Sequence, residues 1–420
     1  MTDATGRALV WTQARRRRML RIASVVLVGV AVLALSGCQW QTAWVRSQSP
    51  LLGATTRTDQ SLRTIARMRS TSVVSRVRLQ NTFGSSQSVN GNNSITVGAA
   101  SVGRRTSGAS VDPATIRQLK FSGNSSVTIA PGQYVVSDPV YFPIGTGQDM
   151  AISLFLPGAV VPAGHFVDTV SHFSTPNGAG NHTLDASGAA FSNTGTSTLI
   201  ASAVESLATD DAHGTVVAIG GSVVDGAGST RDGYNSFPDQ LADRVVAELP
   251  ATKWVPVVNA GIAATTAAAA CALPIAGPGV EQRLERDALS LAHVSRVLVW
   301  AGTNDLTLGC TGDEIIAAMT NIAQQTHAAG AQVLISTITP RASYTAQQNT
   351  YREQVNAWVR AGQNCSGICD HALDFDAVLR DPAQPNRILP ALDSGDGIHP
   401  NPSGYGRIAR SVTLAYLVGR

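Results

Sequence analysis

The chain has 420 residues, 44% of them hydrophobic and 14% charged, with a formal charge of +3. Such a length holds two ordinary domains, and so apolar a balance excludes a disordered chain. The first 38 residues carry six arginines against Asp3, a net +5 that leaves the remainder at −2, with no basic patch to argue for a nucleic-acid partner.

The N-terminus reads as an export signal over residues 1–37. Arg15 to Arg18 form a basic n-region, and Ile22 to Leu35 an uncharged apolar run of fourteen residues. As a helix that run would span about 21 Å, short of the roughly 30 Å hydrocarbon core, so it fits a secretory h-region better than a permanent span. Leu35-Ser36-Gly37-Cys38 resembles a bacterial lipobox. The small residues let a peptidase approach the backbone, and Cys38 is the expected site of lipidation. Acyl chains there would anchor an exported protein to the outer face of the cell membrane. Residues 38–60 are polar and lack periodicity, and read as a tether.

Residues 61–205 have an all-β texture. Val73 to Leu79, Ser94 to Val97, Ser126 to Ile129, Tyr134 to Val136 and Ala151 to Leu156 are short β-rich runs separated by Gly, Ser, Asn and Pro. Short strands at turn-marked intervals predict a sandwich of the jelly-roll kind. Ser197 to Glu205 is expected as a short helix leading to a connector, Ala208 to Gly214.

From residue 206 to 420 the texture becomes α/β. Thr215 to Ile219, Val255 to Val258, Val297 to Trp300 and Val333 to Ile338 are continuous apolar runs. Between them lie helical stretches at Phe237 to Leu249, Val280 to Ala292, Asp313 to Ala329 and Ala346 to Ala361, and Tyr405 to Val418 reads as a final helix. Apolar strands alternating with helices predict a buried parallel sheet between helical layers.

Four segments of this half carry chemistry. Gly220-Gly221-Ser222 places a serine just past a strand, where ligands bind in open sheets. A serine hydroxyl needs a base, and His399 offers one. Asp396, three residues earlier, is suited to fix its tautomer. Gly261 in Asn259-Ala-Gly261 offers a backbone N–H uncovered by a side chain, and Asn304 in Gly302-Thr-Asn-Asp305 an uncharged amide. With the Ser222 N–H these would make three donors for a tetrahedral oxyanion. Taken singly, each segment is also an ordinary turn, cap or loop. The other seven histidines lack such company and read as structural or exposed. Four cysteines remain after Cys38. Cys271 and Cys310 follow loops expected at one sheet edge, so the expected disulfides are Cys271–Cys310 and Cys365–Cys369. The cysteines and histidines do not show metal-ligand spacing, and no metal or other cofactor is called for.

Ser222, Gly261, Asn304 and His399, in that order, resemble the SGNH (GDSL-type) hydrolases, and the resemblance covers roughly Thr215 to Arg420. It implies a flavodoxin-like three-layer domain with a five-stranded parallel sheet, and ester hydrolysis with Ser222 as nucleophile, His399 as base and Asp396 as its orienter. Gly226 to Ala242 and Asp393 to Tyr405 are similar to a bacterial subset with a β-sandwich ahead of the hydrolase. One position departs: the family usually has Asp where Gly221 stands, which bears on loop hydrogen bonding rather than on a chemical step. The expected substrate is an acyl or acetyl ester on a carbohydrate or envelope glycolipid. The alternatives are an acyltransferase using the same acyl-enzyme, and a non-catalytic glycan-binding envelope protein.

Overall fold

The computed structural model describes residues 39–50, 55–83, 94–162, 164–208 and 213–418. The predicted signal peptide and Cys38 lie outside the described residues. Among the described residues, no helix is long and apolar enough to cross a membrane.

The first half is built on two antiparallel sheets. Gln60–Arg67 and Ala99–Ser107 flank Asp149–Leu156 in a seven-stranded sheet. Gln39–Val45, Ala201–Ala208 and Ser72–Gln80 are successive neighbours in a five-stranded one. Leu62, Ala100, Ile152 and Leu154 of the first sheet share one core with Val77, Leu79, Phe142 and Val204 of the second. Alternation decides which side chains enter it. Val77 and Leu79 point inward, while the Arg76 and Arg78 guanidiniums lie over the Trp40 and Tyr134 rings.

Two segments differ from expectation here. Gln39–Val45, read as tether, is a strand. Trp44 packs into the β core and its neighbour Val45 into the core of the C-terminal half. A strand buried on both faces shows no apolar-polar alternation, which is why its sequence looked featureless. Ser197 to Glu205, expected as a helix, is instead Thr198–Leu199 followed by Ala201–Ala208 in the sheet. Pairing on both edges overrides the helix propensity of Ala, Glu and Leu.

The second half has a five-stranded parallel sheet in the order Val257–Gly261, Thr215–Gly220, Val294–Trp300, Gln332–Ser336, His371–Leu373. Numbered along the chain this is 2-1-3-4-5, so the direction of winding switches beside the first strand. Val217 and Ile219 face a core with Val280, Ile315, Met319 and Val355. Val216 and Ala218 face another with Phe237, Leu241, Tyr405 and Ile408. Helices thus cover both sides in three layers. Gly312–Ala328 and Ala346–Arg360 begin with capping boxes at Thr311/Glu314 and Thr345/Gln348. The helix expected from Val280 stops at Leu284 and continues as a π-turn, Glu285–Leu289. The tail is two short helices, Pro402–Ser411 and Ala415–Val418.

The two halves are joined by polar contacts. Arg69 pairs with Asp239 and Asp243. Thr42 N–H donates to Thr215 Oγ1 at 3.0 Å. Arg286 donates to the Gln48 carbonyl at 3.0 Å.

Candidate active site

The first strand ends at Gly220, where a Cβ would overlap the Trp300 carbonyl oxygen. Only glycine lets the chain pass so close to the neighbouring strand. The chain then turns through Gly221 into a one-turn helix, Ser222–Asp225. This puts Ser222 at the carboxyl end of the sheet, beside the switch in winding. Buried Arg283 pins two strand ends by donating to the Gly220 carbonyl at 2.8 Å and the Ala260 carbonyl at 2.9 Å.

The loop from Asp393 to Pro400 brings the other two groups. Asp393 accepts the Gly395 and Gly397 N–H groups, and Ser394 N–H donates to the His399 carbonyl. Ser222 Oγ lies 2.8 Å from His399 Nε2, and His399 Nδ1 lies 2.6 Å from Asp396 Oδ2. A carboxylate can only accept, so Nδ1 carries the proton and Nε2 is left to take one from the serine. Asp396 Oδ1 also accepts the Ile398 and His399 N–H groups, each at 2.8 Å. Burial acts to raise the Asp396 pKa, but these bonds and the imidazole outweigh it and hold it at about 2. It is therefore an anion at any ordinary pH.

The third segment, Thr303–Thr307, starts a short helix after Gly302. Asn304 Nδ2 donates to the Thr265 carbonyl at 2.9 Å and would lie 3.2 Å from a Cβ placed on Gly221. One amide hydrogen is thus spent on the loop and the other remains for a ligand. Asp305, fully buried, accepts Ala267 N–H at 2.9 Å and Ala268 N–H at 2.8 Å. Burial pushes its pKa up to about 6 against these bonds. Cys271 is bonded to Cys310, tying the same two loops, and Cys365 to Cys369.

Gly261 requires correction. Its N–H donates to Asn259 Oδ1 at 2.9 Å and is buried, so it is not available to an oxyanion. Glycine is needed there because a Cβ would overlap the Asp225 amide. The exposed backbone of this loop lies three residues on. Ala264 is exposed, at the left-handed φ of 65°. Among the described residues, neither its N–H nor that of Ser222 has a protein acceptor. Positive φ at a residue other than glycine is uncommon and worth a functional question. An Ile-Ala-Ala-Thr run gave no sequence sign of it. Asp225 was also missed, although it lies three residues past the serine. Its Oδ2 accepts the Ala263 N–H at 3.0 Å, adjoining Ala264.

Residues 218–407 match the GDSL-like lipase/acylhydrolase family. No curated protein matches the chain. Similar solved structures include a member of the lipolytic protein G-D-S-L family from Veillonella parvula DSM 2008, at 19% identity over 49% of this chain and 97% of that one, TM-score 0.36. The psychrotrophic esterase EstA from a Pseudoalteromonas species is 17% identical over 47% of this chain and 93% of its own, TM-score 0.35. A GDSL-like lipase from Bacteroides thetaiotaomicron VPI-5482 is 17% identical over 48% and 87%, TM-score 0.35.

Proposed function

The chain carries a GDSL-like lipase/acylhydrolase domain over residues 218–407, and from that premise we propose that it is a serine esterase acting through Ser222, His399 and Asp396. The observation that supports this reading is the unbroken hydrogen-bonded line from Ser222 Oγ through the imidazole to Asp396. His399 Nε2 takes the hydroxyl proton as Ser222 Oγ attacks the ester carbonyl carbon. The imidazolium that forms is held by the Asp396 anion. The tetrahedral oxyanion is met by the Ser222 N–H, the Ala264 N–H and the free amide hydrogen of Asn304. His399 then returns the proton to the leaving alkoxide, leaving an acyl group on Ser222. A water activated by the same base releases it as the carboxylic acid.

The export signal and lipobox in the sequence favour a substrate outside the cytoplasm, an acylated carbohydrate or envelope lipid, with Cys38 as the anchor. The two antiparallel sheets are read as a sandwich that docks on the hydrolase domain. The test is hydrolysis of a series of aryl esters of increasing acyl length, alongside acetylated polysaccharides, by residues 39–420. Turnover that disappears in a folded Ser222→Ala variant supports the proposal. Near-wild-type turnover by that variant overturns it, as does a rate abolished by a chelator.

A further inference from the structure

His165 belongs to the β half, on the short strand Gly164–His165 that pairs with Thr198–Leu199. It is 2% exposed. Its Nδ1 lies 3.0 Å from the Ser47 carbonyl oxygen. Its Nε2 lies 2.9 Å from Asp225 Oδ1, across the boundary between the halves. Both partners can only accept when Asp225 is ionised. A neutral ring protonated on Nδ1 would turn a lone pair towards the carboxylate. Only the imidazolium, with both nitrogens protonated, suits both neighbours. Burial works against that charge, but Asp225 outweighs it and the His165 pKa is raised. The other charged groups near the ring are Arg46 and Asp168. Arg46 and Asp168 neutralise each other through two hydrogen bonds of 2.8 and 3.1 Å. The Nε2–Oδ1 approach is a charge contact, since neither atom makes a well-aligned hydrogen bond.

Asp225 has two jobs to do with its two oxygens. Oδ1 faces His165, and Oδ2 accepts the Ala263 N–H at 3.0 Å. Asn259 clamps the same turn by donating to the Val224 and Asp225 carbonyls at 2.9 and 3.2 Å. Asp225 ends the helix that Ser222 begins. One carboxylate therefore links the serine's helix to the loop presenting Ala264, and the imidazole in contact with it comes from the other half of the protein.

We infer that His165 is a positioning residue: the β half supplies a buried imidazolium that fixes Asp225, and through Asp225 the oxyanion loop at Ala263–Ala264. The inference rests on the esterase reading of Ser222. It makes the β half a working part of the hydrolase site rather than an appendage packed against it. Without His165, the Asp225 carboxylate stays buried and loses the one cation in contact with it, leaving only the longer-range attraction of Arg46 and Arg283. It would turn towards solvent and release the Ala263 N–H. The chemistry would continue with a displaced donor.

The experiment compares His165→Gln, His165→Gln/Asp225→Asn and Arg69→Gln in the full exported chain. Folding is followed by circular dichroism and urea denaturation. Arg69→Gln breaks another buried contact between the halves, with Asp239, whose other hydrogen bonds go to Ser236 and not to Ala263 or Ala264. It should lower stability and leave kcat unchanged. His165→Gln should lower kcat for an aryl ester roughly 10- to 100-fold, the cost of a misplaced group, with KM within about twofold. The double variant removes the Asp225 charge and keeps an acceptor for Ala263, so it should recover most of the lost kcat. Hydrogen exchange gives a readout independent of turnover. The Ala263 amide should exchange roughly tenfold or more faster in His165→Gln and not in Arg69→Gln, as expected for local opening. Unchanged kcat and unchanged Ala263 exchange in folded His165→Gln would overturn the inference. So would equal effects from Arg69→Gln, which would mean that any loosening of the interface suffices. Ser222→Ala, assayed in parallel, separates the two levels. If it keeps its activity the esterase reading fails; if it loses activity while His165→Gln is unaffected, only the positioning role fails.

Discussion

Replacing Asp305 by asparagine tests the part of the candidate site that holds the proposed oxyanion loop from below. The carboxylate is buried, accepts two consecutive backbone N–H groups, and has its pKa pushed by burial up to about 6. In the unfolded chain an aspartate titrates near 3.9. Between about pH 4 and 6 the folded protein holds a proton that the unfolded chain has released, so stability falls as pH rises through that window. The displacement is about two units, on the order of 3 kcal/mol, fully lost above the folded pKa. Asp305→Asn cannot titrate. It also turns an amide group towards Ala267 or Ala268 N–H, at a pH-independent cost of about 1–3 kcal/mol. Urea denaturation of both proteins at pH 4, 5, 6 and 7 isolates the difference. The wild type should be the more stable at pH 4, and its advantage should shrink by on the order of 3 kcal/mol by pH 7. A constant difference would refute the reasoning. So would an advantage that grows with pH, which would mean that the ionised carboxylate contributes more as an acceptor than its burial costs.

The remaining expectations concern chemistry, covalent ties and anchoring. Ser222→Ala and His399→Ala should each remove most turnover, and their combination little more, because one proton path runs through both; steady-state kinetics with folding controls decide this. Asn304→Ala should lose roughly 10²–10³ in kcat, whereas Ala264→Gly, which keeps its N–H, should retain wild-type kcat; a large loss in the latter would remove Ala264 from the donor set. Replacing Cys271 and Cys310 by serine opens a loop of sequence separation 39 and should cost about 2–4 kcal/mol in urea denaturation. Cys38→Ala should abolish membrane retention in a bacterial host, and unchanged retention would argue against lipidation.

The sequence points to a candidate site where a residue would act through its own side chain, and hides it where the backbone or a distant neighbour would act. Ser222, His399 and Asp396, the proposed nucleophile, base and orienter, could be picked out because each follows a recognisable turn, and the parallel sheet was legible because buried strands read as continuous apolar runs. Gly261 was misassigned for a physical reason. A glycine signals that a side chain will not fit, and the sequence does not tell whether a ligand or another strand occupies the space. Here it is the Asp225 backbone. Ala264 gave the opposite difficulty, since its left-handed φ is imposed by the loop's ties through Ala263, Thr265 and Asp305 and leaves no mark on residue type. Gln39–Val45 and His165 were obscured because each is buried between two halves, and periodicity describes only one buried face. The polar residues at such a boundary look superfluous until their partners are found across it. Asp225 is the clearest case: three residues beyond the serine it reads as a surface acid, yet it is 3% exposed and faces a histidine 60 residues earlier in the chain. A buried acid so close to the proposed nucleophile needs a cation, and among the described residues the one in contact with it, His165, comes from the half without the proposed chemistry, with Arg283 acting from farther off in its own half.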